Sequence, residues 1–280
     1  AKTLFPYTTL FRSDVLSASF TDNKIAAYTN DGAANFSEEQ IIIQMQLAAP
    51  QVVCTANLDN DGFIDLVSAS LYPSKLVWFK NNGDDTFNEP SLITNDISNA
   101  RLVYTTDMDT DGDADIVYVY RVLDGGDGDD HIFWAENDGM GNFINFHNTN
   151  YSSNFISSFN IADLDNDGDV DIIVIPADNI ITCLFNDGVG NFNTFQGLGA
   201  TTLILNNLYT VDLDNNGYKD ILVKVNNGAS IIWFKNIGVT NYFPNESIPT
   251  GATYLNDYVA ADLNNDGNTD ILWTGNNIVA

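Results

Sequence analysis

Basic residues are scarce in this sequence, and the shortage excludes one class of partner. The 280 residues include 10 Lys and Arg against 38 Asp and Glu, which gives a formal net charge of −28. Proteins that bind nucleic acids neutralise phosphates with Lys and Arg side chains, so we expect no nucleic-acid partner. The excess of acid is not that of a disordered tail, because 44% of the residues are hydrophobic and 12% are aromatic, enough to build a core.

Cysteine, histidine and long apolar runs are also rare. The two cysteines, Cys54 and Cys183, form no Cys-x-x-Cys pair, which argues against a disulfide scaffold and against a thiolate zinc site. No apolar run approaches the roughly 18 residues of a membrane-spanning helix, so we expect no transmembrane segment. The two histidines, His131 and His147, suggest no Ser/His/Asp grouping, and we predict no catalytic residues.

The first residues of the chain look foreign to the rest. Residues 3–13 (TLFPYTTLFRS) resemble the in-frame translation of a short-read sequencing adapter. We therefore expect residues 1–13 to be a non-native segment, and the natural sequence to begin near Asp14 with its own start missing. The absence of a recognisable targeting segment then carries no information.

One nine-residue pattern occurs five times. Each copy has an Asp or Asn at positions 1, 3, 5 and 9, an apolar residue at position 2 and Gly at position 6. Successive copies start 50, 56, 49 and 50 residues apart, which indicates a repeat architecture. We number them loops one to five: NLDNDGFID (57–65), DMDTDGDAD (107–115), DLDNDGDVD (163–171), DLDNNGYKD (212–220) and DLNNDGNTD (262–270).

The residues between the loops repeat as well. A short apolar run starts at the last Asp of each of the first four loops, as in DIVYVY at Asp115. A second run follows and ends in an Asn/Asp-Gly turn, as in HIFWAENDG (131–139), and an aromatic residue lies beyond the turn. Runs of β-branched and aromatic residues bounded by such turns predict antiparallel strands. Residues 14–36 match the same unit without its acidic loop.

This period predicts the fold. About four strands per 50-residue unit is typical of a β-propeller blade, a small sheet that packs both faces on its neighbours. We expect an all-β chain with roughly five to six such blades in residues 14–280. Because both ends fall within a unit, we expect an incomplete ring that is truncated at both ends.

The loops have the composition of a site for a hard divalent cation. Oxygen side chains at alternate positions of a tight loop converge on one point, and Gly at position 6 supplies the left-handed backbone that the turn needs. Three or four carboxylates around one point repel each other unless a cation lies between them. Many flexible oxygen ligands suit calcium, whereas magnesium demands a tighter octahedron. An EF-hand is excluded, because its twelfth position is a Glu and these loops have Ser68, Tyr118, Val174, Val223 and Trp273 there.

The pattern D-x-D-x-D-G-x-x-D before an apolar strand, repeated about every 50 residues, resembles the FG-GAP/VCBS repeat of integrin-α-like β-propellers. The likeness extends from Asp14 to the end of the chain and implies about five calcium sites. Each site would use the side chains of positions 1, 3, 5 and 9 and the backbone carbonyl of position 7. Loops one, four and five have Asn for one Asp, which loses a charge and predicts weaker binding.

The implied ligands, in loop order, are Asn57, Asp59, Asp61, Phe63 and Asp65; Asp107, Asp109, Asp111, Asp113 and Asp115; Asp163, Asp165, Asp167, Asp169 and Asp171; Asp212, Asp214, Asn216, Tyr218 and Asp220; and Asp262, Asn264, Asp266, Asn268 and Asp270.

The resemblance implies a non-enzymatic, calcium-stabilised propeller that serves as a binding or adhesion module for a protein or carbohydrate. Extracellular modules bind calcium with a Kd of about 10⁻⁴–10⁻³ M. Cytosolic calcium is too scarce for such sites, so we expect a secreted or cell-surface protein. The alternative is the propeller domain of a secreted carbohydrate-active enzyme such as a polysaccharide lyase. A lyase needs a base and charge-neutralising groups in one cleft, and this composition supplies few of either.

Overall fold

Strands and loops make up all of the chain that the structure describes. This computed structural model describes residues 2–7, 12–31, 35–44, 48–72, 74–84, 86–95, 100, 102–122, 128–198, 204–225, 230–238, 242, 246–264 and 266–276. Within these ranges there is no helix, which confirms the predicted all-β class. None of these segments therefore offers a helix able to span a membrane. The chain divides into two compact units, Ala1–Ser152 and Ser153–Ala280.

Unit one contains three four-stranded antiparallel sheets, in which the strands follow the order of the chain. Each sheet is one of the predicted blades. The strands of the three blades are β1 (Lys2–Tyr7), β2 (Arg12–Ser19), β3 (Lys24–Tyr28) and β4 (Gln40–Gln44); β5 (Ala48–Ala56), β6 (Asp65–Tyr72), β7 (Ser74–Phe79) and β8 (Ser91–Thr94); and β9 (Leu102–Thr106), β10 (Asp115–Val122), β11 (Asp129–Asn137) and β12 (Phe143–Ser153).

Unit two contains two more four-stranded blades and, within its described residues, one two-stranded sheet. The six sheets of the two units agree with the predicted five to six blades. The strands of unit two are β13 (Ile156–Ala162), β14 (Asp171–Pro176), β15 (Ile181–Asn186) and β16 (Phe192–Leu198); β17 (Leu205–Val211), β18 (Asp220–Val225), β19 (Ser230–Phe234) and β20 (Glu246–Pro249); and β21 (Tyr254–Ala261) and β22 (Asp270–Asn276).

The acidic loops connect the first and second strands of their blades. In the third blade Asp115 starts β10 and lies opposite Thr106, the last residue of β9. In the next blade Asp171 starts β14 and lies opposite Ala162 at the end of β13. Loop residues are therefore held at both ends by a paired strand, which fixes the spacing of positions 1 and 9.

The apolar core lies between neighbouring sheets of a unit. All six residues of β14 are buried, as are all six of β18, because these second strands are covered on both faces. The fourth strand β16 is mostly exposed. One core cluster joins Cys183 of β15 to Ile232 of β19, and another joins Trp78 of β7 to Ile116 of β10. The predicted absence of a disulfide is confirmed, since both cysteines are free and buried.

The first blade contains the beginning of the chain. The backbone N–H of Asn30 donates to Asp14 Oδ1 over 2.6 Å, so Asp14 has the place that the last Asp of a loop has in the other blades. Strand β1 lies within the expected non-native residues 1–13 and pairs with β2. Residues 1 and 8–11 of that stretch lie outside the described residues. The foreign origin of residues 1–13 stays a prediction.

Candidate metal centres

Three carboxylate groups converge in each of loops two, three and four. The Asp residues at positions 1, 3 and 9 each offer an oxygen, and these oxygens all lie within 4.8 Å of one another. Position 9 is buried in all three loops, whereas positions 1 and 3 are partly exposed. Each triad can hold a metal ion. The three triads are Asp107, Asp109 and Asp115; Asp163, Asp165 and Asp171; and Asp212, Asp214 and Asp220.

The position-9 carboxylate also fastens the loop to the blade. Asp115 Oδ2 accepts the N–H of Met108 over 2.9 Å, and its Oδ1 accepts the N–H of Asn137 over 2.8 Å. The same pair of bonds recurs at Asp65, Asp171 and Asp220. Because each carboxylate oxygen has two lone pairs, these residues hold the loop in shape and keep lone pairs for an ion.

Burial makes the negative charge of these carboxylates costly. It raises the pKa of Asp115 and of Asp171 to about 7, although two backbone N–H bonds to each carboxylate lower the pKa in part. Burial also raises the pKa of Asp109, and the neighbouring charge of Asp111 adds to this effect. A cation in the triad acts in the opposite direction, because an opposite charge nearby favours the ionised form.

Several loop oxygens are buried without a hydrogen-bond partner. They are Asn57 Oδ1, Asp163 Oδ1, Asp165 Oδ1 and Asp214 Oδ1. An unsatisfied buried polar group costs about 1–3 kcal/mol. A metal ion coordinated at these positions would remove that cost. The donors at these centres are oxygens, which hard cations such as calcium prefer, so the residues present fit the predicted ion.

Positions 5 to 7 form the bend of each loop. The position-5 side chain accepts the N–H of position 7, for example from Asp113 N to Asp111 Oδ1 over 2.9 Å. Gly at position 6 has a φ of +99° at Gly112 and similar values in the other loops, a conformation that side chains disfavour. Of the described residues, the position-5 carboxylates are not members of the three triads. The ligand roles of the position-5 side chain and the position-7 carbonyl stay predictions.

Loop five differs from the other four. Asp262, Asn264 and Asp266 are exposed, and Asp270 is only partly buried. Its position-2 residue, Leu263, is 55% exposed, whereas the equivalent Leu58, Met108 and Leu164 are fully buried. The described part of this repeat has two strands rather than four, so fewer groups cover the loop. All five of its predicted ligands stay predictions.

Lysine side chains enter loops one and four. Lys80 Nζ hydrogen-bonds to Asp59 Oδ2 and lies 2.7 Å from Asp61 Oδ2. Lys235 Nζ pairs with Asp214 Oδ2. The hydrogen bonds with Asp59 and Asp61 raise the pKa of Lys80, and the bond with Lys80 lowers the pKa of Asp61. Neither lysine is among the site residues predicted from the sequence.

Two sets of Asn residues that contact the loops were also not predicted, although each set recurs in the sequence. The first set precedes the hairpin Gly of each blade: Asn137 Nδ2 donates to Leu58 O over 2.8 Å, and Asn236 Nδ2 donates to Leu164 O over 2.8 Å. The second set is position 4, where Asn60 Nδ2 donates to Asp113 Oδ1 over 2.6 Å. Both sets connect one loop or blade to the next in their unit. Their recurrence at fixed places in the repeat was the available signal.

A polar pocket lies beside loop three in unit two. It has a volume of about 290 Å³ and is lined by amide, hydroxyl, carboxylate and aromatic groups. Asp165 belongs both to this pocket and to the triad of loop three. The remaining lining residues are Phe185, Asn186, Asp187, Asn191, Asn193, Thr194 and Gln196.

Neither histidine belongs to a triad. His147 stacks on Trp134 with ring centroids 4.1 Å apart, and its Nε2 lies 2.9 Å from Glu136 Oε2. Both contacts lie within the third blade, on β11 and β12. They give His147 a packing role on the outer part of the sheet.

The repeat matches a known family. The family model described as FG-GAP-like repeat matches residues 57–118, 107–174, 163–223 and 212–273. These overlapping matches cover well over half of the chain. The chain belongs to the FG-GAP-like repeat family. Each FG-GAP-like match begins at position 1 of one loop and ends in the strand after the next loop, so the matches include all five acidic loops. The family predicted from the acidic pattern is confirmed, whereas no curated protein matches the sequence.

Solved structures resemble this FG-GAP-like repeat protein at low sequence identity. A lectin from Agrocybe aegerita that recognises non-reducing terminal N-acetylglucosamine matches with 16% identity and a TM-score of 0.50, over 89% of this chain and 80% of that chain. A variant of the Aleuria aurantia lectin in complex with Fucα1-6GlcNAc matches with 12% identity and a TM-score of 0.52, over 90% and 79%. A luciferin-regenerating enzyme matches with 10% identity and a TM-score of 0.55, over 91% and 82%. Because lectins and an enzyme share this likeness, it shows the propeller fold and not the function.

Proposed function

We propose that this protein is a calcium-stabilised β-propeller that acts as a non-catalytic binding module for a carbohydrate or protein outside the cell. The observation that carries the calcium part is the convergence of three Asp oxygens within 4.8 Å in each of three successive loops. One such cluster is explained by turn chemistry, but recurrence in register, with buried oxygens left unpartnered, supports a shared ligand.

Calcium has a structural role in this proposal. The loop side chains bind the ion. The position-9 Asp links the loop to the hairpin turn because it accepts the N–H of the Asn that starts the turn, as Asp171 does from Asn186. The ion supplies positive charge that offsets repulsion among the carboxylates. Sites of this kind in extracellular modules need about 10⁻⁴–10⁻³ M calcium, which supports a secreted or cell-surface location.

The polar pocket of unit two supports a carbohydrate as the ligand. Sugar hydroxyls are recognised by side chains that both donate and accept hydrogen bonds, which Asn, Gln and Thr do. Asn193 and Thr194 are exposed on β16 and line this pocket with Gln196. Phe185, which is 8% exposed, adds a small apolar surface to the wall.

Glycan-array binding in calcium tests this proposal. We expect the protein to bind a subset of glycans, and Asn193→Ala to weaken that binding while Asn148→Ala, an exposed Asn in unit one, leaves it unchanged. No glycan binding, or equal loss with both variants, would refute a carbohydrate site in this pocket.

The same bound glycan separates binding from catalysis. We expect it to be recovered intact by mass spectrometry after prolonged incubation with the protein. Recovery of shortened fragments with an unsaturated terminal uronate would instead establish the alternative, a polysaccharide lyase. Equal cleavage by a preparation of Asn193→Ala would place that activity elsewhere than the pocket.

A further inference from the structure

The residue before the turn Asn differs among the four complete loop-bearing blades. In each blade the N–H of the turn Asn donates to Oδ1 of the position-9 Asp, over 2.7–2.9 Å. This shared bond sets the residue before the turn Asn, called here the pre-turn residue, at the same place beside every loop. The pre-turn residues of loops one to four are Lys80, Glu136, Phe185 and Lys235.

Both pre-turn lysines contact the position-3 carboxylate. Lys80 bonds to Asp59 and, over 2.7 Å, to Asp61, while Lys235 bonds to Asp214. The position-3 carboxylate is a member of the triad in loops two, three and four. The lysine ammonium therefore binds to the same carboxylate on which a metal ion in that loop would depend.

The presence of a pre-turn lysine goes with a change in the loop itself. Loops one and four each have three carboxylates and one Asn among their four ligand side chains, and loops two and three have four carboxylates. With the pre-turn residue included, the formal charge is −2 in loops one and four, −5 in loop two and −4 in loop three. The pre-turn Lys and the Asn in the loop, about 20 residues apart in sequence, thus occur together. Both reduce the negative charge that a divalent ion would neutralise.

Resting on the proposed calcium function, we infer that Lys80 and Lys235 are tethered cations that take the place of calcium in loops one and four, so that calcium fills loops two and three first. An ammonium and a divalent cation repel each other and compete for the same carboxylate oxygens. Calcium therefore binds loops one and four only when it displaces the lysine. Among loops one to four, each unit then contains one loop of each kind.

The two lysines differ in how firmly they hold their loops. Lys80 bridges two carboxylates, whereas Lys235 bonds to one oxygen of Asp214 and leaves its buried Oδ1 without a partner. Loop four also retains the converging oxygens of Asp212 and Asp220. Calcium displaces Lys235 more readily than Lys80, which gives an order of filling: loops two and three, then loop four, then loop one.

Calcium titration calorimetry on the full chain tests this inference. Lys80→Met and Lys235→Met keep the apolar stem and remove the charge. In each variant one loop binds calcium with affinity raised about tenfold, because the lysine charge no longer repels the ion or competes for its carboxylates. The matched control is Lys24→Met, which makes the same change of charge but removes an ion pair to Glu39 and leaves the calcium isotherm unchanged. Identical isotherms for the wild type and both loop-lysine variants would overturn the inference.

Asp109→Asn and Asp165→Asn separate this inference from the proposed function. If the wild type binds calcium and each variant loses one of its sites, calcium binding stands whatever the lysine variants do. If the wild type and all variants bind none, calcium binding itself is refuted, and the inference with it.

Thermal melts in chelator and in calcium distinguish a lysine that takes the place of the ion from one that only stabilises the fold. In chelator, Lys80→Met melts at a lower temperature than the wild type, because three carboxylates lose their cation. Calcium restores the melting temperature of this variant to that of the wild type. A lowered melting temperature that calcium does not restore would overturn the inference.

Discussion

The backbone N–H of Asn137 donates to Asp115 Oδ1 over 2.8 Å, and this bond ties a hairpin turn to the end of an acidic loop. The side chain of Asn137 also donates to Leu58 O over 2.8 Å and to Ala114 O over 3.0 Å, and it accepts the N–H of Gly141 over 3.1 Å. Asn137 is only 1% exposed. One buried residue therefore connects loop one, loop two and the turn of the third blade.

Replacement of Asn137 by Ala should destabilise the protein whether or not calcium is present. The change leaves buried backbone groups without partners, which costs about 1–3 kcal/mol. Thermal unfolding followed by circular dichroism measures the loss, with Asn142→Ala as the control because Asn142 is exposed in the same turn. Equal melting temperatures for the two variants would show that the Asn137 bonds contribute little.

Asp109→Asn and Asp165→Asn should each remove the contribution of one site to the calcium response without unfolding the protein. Both residues are position-3 members of a triad, and the amide has the size of the carboxylate but lacks its charge. Loss of one like charge relieves repulsion, so the melting temperature in chelator should equal or exceed that of the wild type. At a calcium concentration ten times the Kd, each lost site should remove about 1.4 kcal/mol of stabilisation. Differential scanning fluorimetry measures both values, and a full calcium shift in either variant would contradict the assignment of that triad.

Asp115→Asn should behave differently from Asp109→Asn although it makes the same chemical change. Both oxygens of Asp115 accept backbone N–H groups, so an amide NH₂ at this position faces a donor. The two buried donors that then face each other should lower the free energy of unfolding by about 1–3 kcal/mol, in chelator as well as in calcium. Melts of the two variants side by side measure the difference. If Asp115→Asn in chelator were as stable as Asp109→Asn, the fastening role of position 9 would be wrong.

The fold was predictable because its signals are local and repeated. Strands start at Asp65, Asp115, Asp171 and Asp220, where the apolar runs begin in the sequence. The hairpin turns follow from their Asn/Asp-Gly pairs. Gly at position 6 and the acidic residues at alternating positions predicted converging loops, and positions 1, 3 and 9 converge in three of them.

The charge balance of each loop was not predictable from the loop alone. Lys80 is 21 residues from Asp59 in sequence, and only the pairing of β6 with β7, which sets Leu66 opposite Phe79, brings the residue after Phe79 beside the loop. The position-5 side chains were predicted to converge with those of positions 1 and 3. Their bonds to the N–H of position 7 depend on the backbone geometry of the loop, which the pattern of side chains does not show. The pattern of side chains gives the composition of a site, whereas strand register decides which neighbour enters it.

The most direct test of the central claim is the melting temperature of the wild-type protein in chelator and in millimolar calcium, with magnesium at the same concentration as the control. Two filled sites at ten times their Kd add about 3 kcal/mol, which raises the melting temperature of a protein of this size by about 5–10 °C. Magnesium should give a smaller rise, since it binds flexible oxygen loops less well. A melting temperature that calcium leaves unchanged would contradict the role of the Asp triads as calcium sites.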